Sequence, residues 1–192
     1  MKKLFALIVV VLLGGCLGGF SSPSRFYSLT AQTPAAQTFK SARIFVGVEP
    51  VKVPVYLDKP QIVTRNANQV ELSISENNRW AEPLSDAIQN TLATDIGSAL
   101  PNAVVKPSSF RKEGFDYIVW VEIIKFEGIW NENVVLEAWW SILDNDNKLI
   151  ARDKVALSRP LGDTYDNLAL QQSGLIGELA EKIAARLAKL PK

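Results

Sequence analysis

The order of apolar and polar positions divides the chain into a short leader and one folded region. Two lysines precede an almost unbroken apolar run over residues 4–13, and residues 13–16 read Leu-Gly-Gly-Cys. An apolar run of this length forms a helix of about 15 Å, roughly half of a hydrocarbon core, so it is too short to span a membrane. A positive start, a short apolar run and small residues before a break are typical of a secretory signal peptide. We therefore assign residues 1–15 to a cleaved signal peptide.

Cys16 is the only cysteine in the chain, and it stands directly after the small residues of the leader. Leu-Gly-Gly-Cys resembles the bacterial lipobox, in which the cysteine receives a diacylglyceryl group, the chain is cut before it, and the new amino terminus is acylated. The alternative is an ordinary signal peptide with an incidental cysteine. Three acyl chains exceed what stable anchoring needs, so the mature protein is expected to begin at Cys16 and stay on a membrane. By analogy with lipoprotein sorting in diderm bacteria, Leu17 favours the outer membrane.

Alternating and continuous apolar segments after the leader predict a β-rich domain. Residues 16–24 form a lipidated tether, and the domain is expected to occupy residues 25–192. The polar run 144–147 predicts a hairpin turn, and residues 77–79 (Asn-Asn-Arg) predict a second polar turn. The strands are expected at residues 25–29, 43–53, 61–65, 69–74, 104–105, 117–126, 134–143 and 149–157.

Two segments carry the periodicity of amphipathic helices. Apolar residues recur every fourth position from Leu84 to Leu100, which predicts a helix over residues 82–100. A second stripe predicts a helix over residues 165–189, with Asp163 and Thr164 as N-cap candidates. An antiparallel or mixed sheet with both helices on one face is the simplest way to bury both stripes, so the fold class is α+β.

Composition excludes several classes of function. The mature chain keeps 19 basic residues against 20 acidic residues, which gives no electrostatic basis for nucleic-acid binding. It has no histidine, and a lipid would block its only thiol, so catalysis by His-containing triads and zinc sites of thiol or imidazole is excluded. We expect no enzyme activity, no metal and no cofactor apart from the lipid on Cys16. A carboxylate-based hydrolase is the catalytic alternative.

The acidic residues do not assemble into a recognisable motif. Asp144 and Asp146 share a turn, but the glycine and the later glutamate of a calcium-binding loop are missing. Other carboxylates on predicted strands are most simply explained as charges on a solvated face. They are Asp116, Glu122, Glu127 and Glu137.

Two motifs resemble a known family. Residues 53–65 read Val-Pro-Val-Tyr-Leu-Asp-Lys-Pro-Gln-Ile-Val-Thr-Arg, and residues 79–84 read Arg-Trp-Ala-Glu-Pro-Leu. Both resemble the ABC-type transport auxiliary lipoproteins of the PqiC/YmbA type. Residues 26–29 (Phe-Tyr-Ser-Leu), the overall length and the terminal helix fit the same pattern, so the resemblance covers essentially the whole mature chain.

The resemblance implies a periplasm-facing outer-membrane lipoprotein that assists a lipid transporter. In such a system an ABC transporter works with an MCE-domain protein that carries phospholipid across the periplasm, and the lipoprotein is the non-catalytic docking piece at the outer membrane. Related assembly lipoproteins often form rings, which implies a homo-oligomeric ring here. The alternative is a structural ring subunit of another envelope machine, for secretion or polysaccharide export.

The first motif supplies most of the candidate contact residues. Tyr56, Leu57, Asp58 and Pro60 lie at a break between two predicted strands, where functional loops tend to occur. Tyr56 and Leu57 are candidates for anchoring a partner or lining a lipid path, and Arg65 for binding a phosphate or carboxylate. The alternative is that Tyr56 and Leu57 plug the sheet edge while Asp58 caps a turn.

Three tryptophans complete the set of candidates. Trp80 precedes a helix and is expected to pack onto it, with contact to a partner as the second interpretation. Trp139 and Trp140 are neighbours in a predicted strand, so their side chains point to opposite faces. One of them is then a candidate for an interface, unless a helix or loop covers the second face.

Overall fold

The fold is built around a large sheet that carries two helices on one face. The computed structural model describes residues 22–32, 35–109 and 114–191, so the predicted signal peptide and Cys16 lie outside the described residues. The helices of this part are α1 (Leu84–Ala99) and α2 (Tyr165–Leu187). Its strands are β1 (Arg25–Tyr27), β2 (Phe45–Val48), β3 (Gln61–Arg65), β4 (Leu72–Trp80), β5 (Val104–Pro107), β6 (Tyr117–Ile129), β7 (Asn133–Asp144) and β8 (Leu149–Pro160).

The larger sheet has five strands in the order β5-β2-β6-β7-β8. Strand β2 runs parallel to both of its neighbours, and β6, β7 and β8 form an antiparallel meander. The polar turn between β7 and β8 is where the sequence predicts it. Asp144 Oδ1 accepts hydrogen bonds from the backbone N–H groups of Asp146 and Lys148, and Asn147 has a φ of 64°. Asparagine tolerates this left-handed conformation better than most residues, which explains the polar composition of the turn.

The smaller sheet has three strands in the order β1-β4-β3, and it corrects one prediction. Asn77, Asn78 and Arg79 are not a turn, because β4 continues through them to Trp80. Strand β1 runs parallel to this end of β4 and places Phe26 opposite Arg79. Pairing with a strand that is distant in sequence outweighs the weak local preference of asparagine for turns.

Both helices bury the apolar stripes that the sequence predicts. The stripes pack into one core with the inward residues of β7, which alternate along the strand from Val134 to Ile142. The α+β class and the placement of two amphipathic helices on a mixed sheet are therefore confirmed. Within the described ranges, neither helix has the length and mean hydropathy that a membrane span requires.

The segment that follows β1 crosses the helical layer, and we call its described residues, 28–32 and 35–39, the N-terminal strap. Five of its backbone N–H groups donate hydrogen bonds to α1 or α2. The pairs are Thr30 to Ser173 Oγ (3.0 Å), Gln32 to Asp95 Oδ1 (2.5 Å), Ala35 to Ser98 Oγ (2.9 Å), Gln37 to Glu181 Oε1 (3.2 Å) and Phe39 to the carbonyl of Ala99 (2.8 Å). The strap is thus tied to both helices.

Candidate functional site

The first sequence motif forms the turn that leads from β2 into β3, and β3 itself. The carbonyl oxygen of Pro54 accepts hydrogen bonds from the backbone N–H groups of Leu57 and Asp58, which closes the turn. The Leu57 side chain is only 2% exposed and belongs to the core. Asp58 accepts a hydrogen bond from the hydroxyl of Ser85 in α1 at 3.3 Å. The turn is therefore held in place by the packing of Leu57 in the core and by the hydrogen bond between Asp58 and the first turn of α1.

Tyr56 and Arg65 meet at a buried carboxylate of the large sheet. Glu127 of β6 is 1% exposed, and its Oε1 accepts a hydrogen bond from Arg65 Nε at 2.6 Å. Its Oε2 accepts bonds from the hydroxyl of Tyr56 at 3.0 Å and from the backbone N–H of Phe126 at 3.1 Å. The prediction that Glu127 lies on a solvated face was wrong, because the β2–β3 turn and β3 cover it.

The charges of this cluster are balanced within the protein. Burial, followed by the negative charge of Glu127, raises the pKa of Tyr56 to about 12, so its hydroxyl stays a donor at neutral pH. Burial lowers the pKa of Arg65, but the hydrogen bond and the charge of Glu127 raise it, and the net shift of the pKa is upward. Arg65 also donates from Nη1 to the carbonyl oxygen of Gln69. The arrangement holds the β2–β3 turn onto the sheet.

Both sequence motifs line one cleft of about 460 Å³, which we call the motif cleft. Its lining residues are Asp58, Lys59, Pro60, Trp80, Ala81, Glu82 and Pro83. The backbone N–H of Trp80 donates to the carbonyl oxygen of Pro60 at 2.7 Å and holds the two segments together. The Trp80 side chain is 5% exposed and lies in the core, so the open walls come from its neighbours. Sequence spacing alone gives no sign that segments 20 residues apart share a cleft.

The chain matches the family model of the ABC-type transport auxiliary lipoprotein component over residues 27–184. It belongs to this family. The matched region of this auxiliary lipoprotein contains the whole motif cleft, the Glu127 cluster, all of α1 and most of α2. The resemblance found in the two motifs is thereby confirmed.

Proteins that are similar to this chain either have names that refer to transport or share its fold. The family member is 27% identical to the intermembrane transport lipoprotein PqiC of Escherichia coli (strain K12) over 193 residues, which is 100% of both chains. The protein of the same name from Shigella flexneri matches equally. A solved structure of an uncharacterized protein is 25% identical with a TM-score of 0.72, and the match covers 86% of this chain and 99% of the other. A protein from Xanthomonas campestris, 15% identical, shares the fold with a TM-score of 0.71 over 86% and 95% of the two chains.

The adjacent tryptophans of this auxiliary lipoprotein point to opposite faces of the large sheet. Trp140 is 4% exposed and packs beneath the helices, whereas Trp139 is 38% exposed on the other face. The guanidinium carbon of Arg152 lies 5.6 Å from the centroid of the Trp139 ring, within cation–π distance. Of the two, Trp139 is the one available for contact with another molecule.

The candidates therefore fall into three places. Asp58, Pro60 and the largely buried Trp80 line the motif cleft, Trp139 lies on the open face of the sheet, and Tyr56, Leu57, Arg65 and Trp140 make contacts within the protein. Cys16 lies outside the described residues. Across the described ranges, no three histidine, cysteine or acidic side chains come together in a way that could hold a metal ion.

Proposed function

We propose that this protein is a non-catalytic docking subunit of a phospholipid transport system, held at the periplasmic face of the outer membrane. The observation that carries the proposal is the match to the auxiliary lipoprotein family over residues 27–184. The name of the PqiC relative, an intermembrane transport lipoprotein, supports the same role. The partner in this proposal is an MCE-domain protein that works with an ABC transporter.

The motif cleft is the surface that we propose for docking. Its rim includes the exposed residues Asp58, Glu82 and Pro83, and its two walls are joined by the hydrogen bond from Trp80 to Pro60. Prolines on both walls and the buried Trp80 behind them restrict movement of the rim. A rigid surface loses little conformational entropy on binding, which favours affinity.

Purification of the lipidated protein from native membranes tests the docking role. The expected result is co-purification of an MCE-domain protein, with Glu82→Arg at the cleft rim reducing its recovery about tenfold or more, equivalent to about 1.4 kcal/mol. Glu76→Arg is the matched control, because Glu76 is an exposed glutamate of β4 outside the cleft lining. Recovery of a secretion or polysaccharide-export channel in place of the MCE protein would contradict the proposal. The mass of the isolated complex reports whether copies of the chain form a ring.

The proposed anchor is tested separately with Cys16→Ala. The wild-type protein should carry the mass of a diacylglyceryl group and an N-acyl chain and should sediment with outer membranes. The variant should lack that mass and appear in the soluble periplasmic fraction, because no acyl chains hold it. Mass spectrometry and membrane fractionation measure the two outcomes. A variant that still resists extraction from membranes would contradict anchoring through this residue.

A further inference from the structure

The face of the large sheet that points away from the helices carries a groove of about 480 Å³. We call it the outer groove, and it lies in the size range of small-molecule sites. Its lining residues are Glu49, Ile118, Trp120, Ser141, Leu143, Leu149 and Arg152. None of them lines the motif cleft or belongs to the Glu127 cluster.

Strand register builds the groove in two rows across β6, β7 and β8. One row is apolar and consists of Ile118, Leu143 and Leu149, which are cross-strand partners. The next row is Trp120, Ser141 and Arg152. Residues directly opposite on neighbouring antiparallel strands share a face, so both rows form one floor.

The groove is open at its β8 end in the part of the chain that the structure describes, whereas Ile118 and Ser141 at its base are 1% and 5% exposed. Leu149 is 53% exposed, and Trp139, beside the second row, is 38% exposed. Both helices pack on the opposite face, against Trp140 and its inward neighbours. An apolar floor with an aromatic wall and open access is suited to an apolar ligand chain.

Arg152 places an uncompensated positive charge at one wall of the groove. Its guanidinium stacks on Trp139, and within the described ranges no carboxylate pairs with it. The other cations of this face are engaged, since Lys125 and Lys154 both pair with Glu137. The hydrogen bond from Lys125 and the one from Lys154 hold the pKa of Glu137 below its usual value. A guanidinium on an aromatic ring keeps its hydrogen-bonding fork free for a phosphate.

Glu49 places a negative charge at the opposite wall. It follows β2, and its backbone N–H donates to the carbonyl oxygen of Val119, so it lies beside β6. The side chain is 6% exposed, and its Oε1 accepts a hydrogen bond from the hydroxyl of Ser108 at 3.3 Å. A buried carboxylate is stabilised further by a cationic donor. The groove therefore has opposite charges on its two walls, with Trp120 and Ser141 between them and the apolar row alongside.

We propose that the outer groove binds a phospholipid with a zwitterionic ethanolamine headgroup. The phosphodiester binds the guanidinium of Arg152, the primary ammonium binds the carboxylate of Glu49, and an acyl chain lies over Trp120, Leu143 and Leu149. A single pair of opposite charges beside an apolar row matches this headgroup better than a purely anionic one. The inference deepens the lipid-transport role proposed above and rests on it, but its test needs no partner protein.

The test uses the mature lipidated protein in nonionic detergent micelles that contain a trace of ethanolamine phospholipid with a photoactivatable acyl chain. Irradiation should attach the lipid to β6 and β7 near Trp120 and Leu143, as mapped by peptide mass spectrometry. Unlabelled ethanolamine phospholipid should compete about tenfold better than phosphatidylglycerol. Soluble phosphoethanolamine, which has no acyl chain, should compete weakly.

Three variants and one control separate the parts of the site. Arg152→Gln and Leu143→Glu should each reduce labelling about tenfold, because they remove the phosphate contact and the apolar floor. Glu49→Gln keeps the acceptor for Ser108 but should abolish the preference for ethanolamine lipid over phosphatidylglycerol. Arg43→Gln changes an exposed arginine outside the groove lining and should leave labelling unchanged. Far-ultraviolet circular dichroism confirms that each variant is folded.

Labelling spread evenly over the surface, or unaffected by all three variants, overturns the lipid site. Cross-links from Trp120 or Leu143 to an MCE-domain protein in native membranes, without lipid labelling, would assign the groove to a protein partner and also overturn it. Loss of the MCE protein in the purification described above, with groove labelling intact, would instead refute the docking role alone.

Discussion

Asp95 is a buried acid held between both helices and the N-terminal strap. It is 2% exposed, its Oδ1 accepts the backbone N–H of Gln32, and its Oδ2 has no hydrogen-bond partner in the described part of the chain. Burial raises the pKa of Asp95 to about 6, the hydrogen bond from Gln32 opposes this shift, and the charge of Glu181 adds to it. The folded protein therefore binds a proton at Asp95 more tightly than the unfolded chain does.

The sign of this shift predicts how Asp95 affects stability. Its stabilising contribution is complete below about pH 4, the range of a free aspartate, and is lost as the pH rises through about 6. Asp95→Asn removes the buried charge and keeps the acceptor for Gln32, so it should raise the free energy of unfolding at pH 7.5 by about 1–3 kcal/mol. Urea unfolding at pH 4.5 and 7.5 measures the effect, which should be smaller at the lower pH. A variant that is less stable than wild type at pH 7.5 would refute this prediction.

The Arg65–Glu127 pair provides a second prediction at single residues. Arg65→Ala leaves a carboxylate that is 1% exposed without its cation, and should cost about 3–5 kcal/mol of unfolding free energy. Lys52→Ala is the control, because Lys52 pairs with Glu122 while its own side chain is 67% exposed, so its loss should cost less than about 1 kcal/mol. Chemical denaturation of both variants gives the comparison. Equal losses of unfolding free energy would contradict the prediction that the buried pair stabilises the fold more than the exposed pair does.

At the scale of the helices, the two N-termini are capped differently. Thr164 accepts a hydrogen bond from the backbone N–H of Asn167 at the start of α2. The corresponding position of α1 is Pro83, which makes no side-chain cap. Of the two N-cap candidates that the sequence offers for α2, Thr164 is the one that caps it.

This difference predicts distinct effects for two neighbouring substitutions. Thr164→Ala should lower the free energy of unfolding by about 1 kcal/mol, because one backbone N–H of α2 loses its acceptor. Asp163→Ala should cost less, since only a weak interaction with the helix dipole is lost. Thermal unfolding of the two variants under the same conditions ranks them. The reverse order would mean that Asp163 is the functional cap.

Helices and hairpins were predictable wherever the signal is local. The apolar stripe from Leu84 to Leu100 lies within one helix, and the polar turn at 144–147 lies within one hairpin. The structure confirms both. The end of β4 was not predictable, because Asn77 and Asn78 favour a turn and the strand that pairs with Asn78, β1, lies about 50 residues away. A single sequence shows the preference of a segment but not the strand that it pairs with.

The candidate sites show the same difference between local signals and contacts of distant segments. Asp58 and Pro60 were found because they belong to a continuous motif, and they do line a cleft. The burial of Glu127 was missed, since Arg65 lies 62 residues away and only the folded sheet brings the two together. The outer groove takes its walls from Glu49 and Arg152, at distant points of the chain, so no spacing in the sequence reveals it.

At the scale of the whole molecule, the sheet separates structural and accessible surfaces. One face is covered by the helices and holds the core around Trp140, whereas the other presents Trp139 and the outer groove. The motif cleft lies elsewhere, where β4 leads into α1. The docking partner and the lipid that we propose would therefore occupy separate surfaces.

The pairing of β1 in the small sheet bears on the proposed anchor, because it fixes where the folded domain begins. Strand β1 is paired in the small sheet, so residues 16–24 are the length of chain between the proposed lipid on Cys16 and the domain. Nine residues reach at most about 30 Å even when fully extended, which is less than the roughly 40 Å width of a domain of this size. With the proposed lipid on Cys16, the domain would stay beside its bilayer and would not carry cargo over a distance. In that arrangement, another component would have to bring the lipid to this protein.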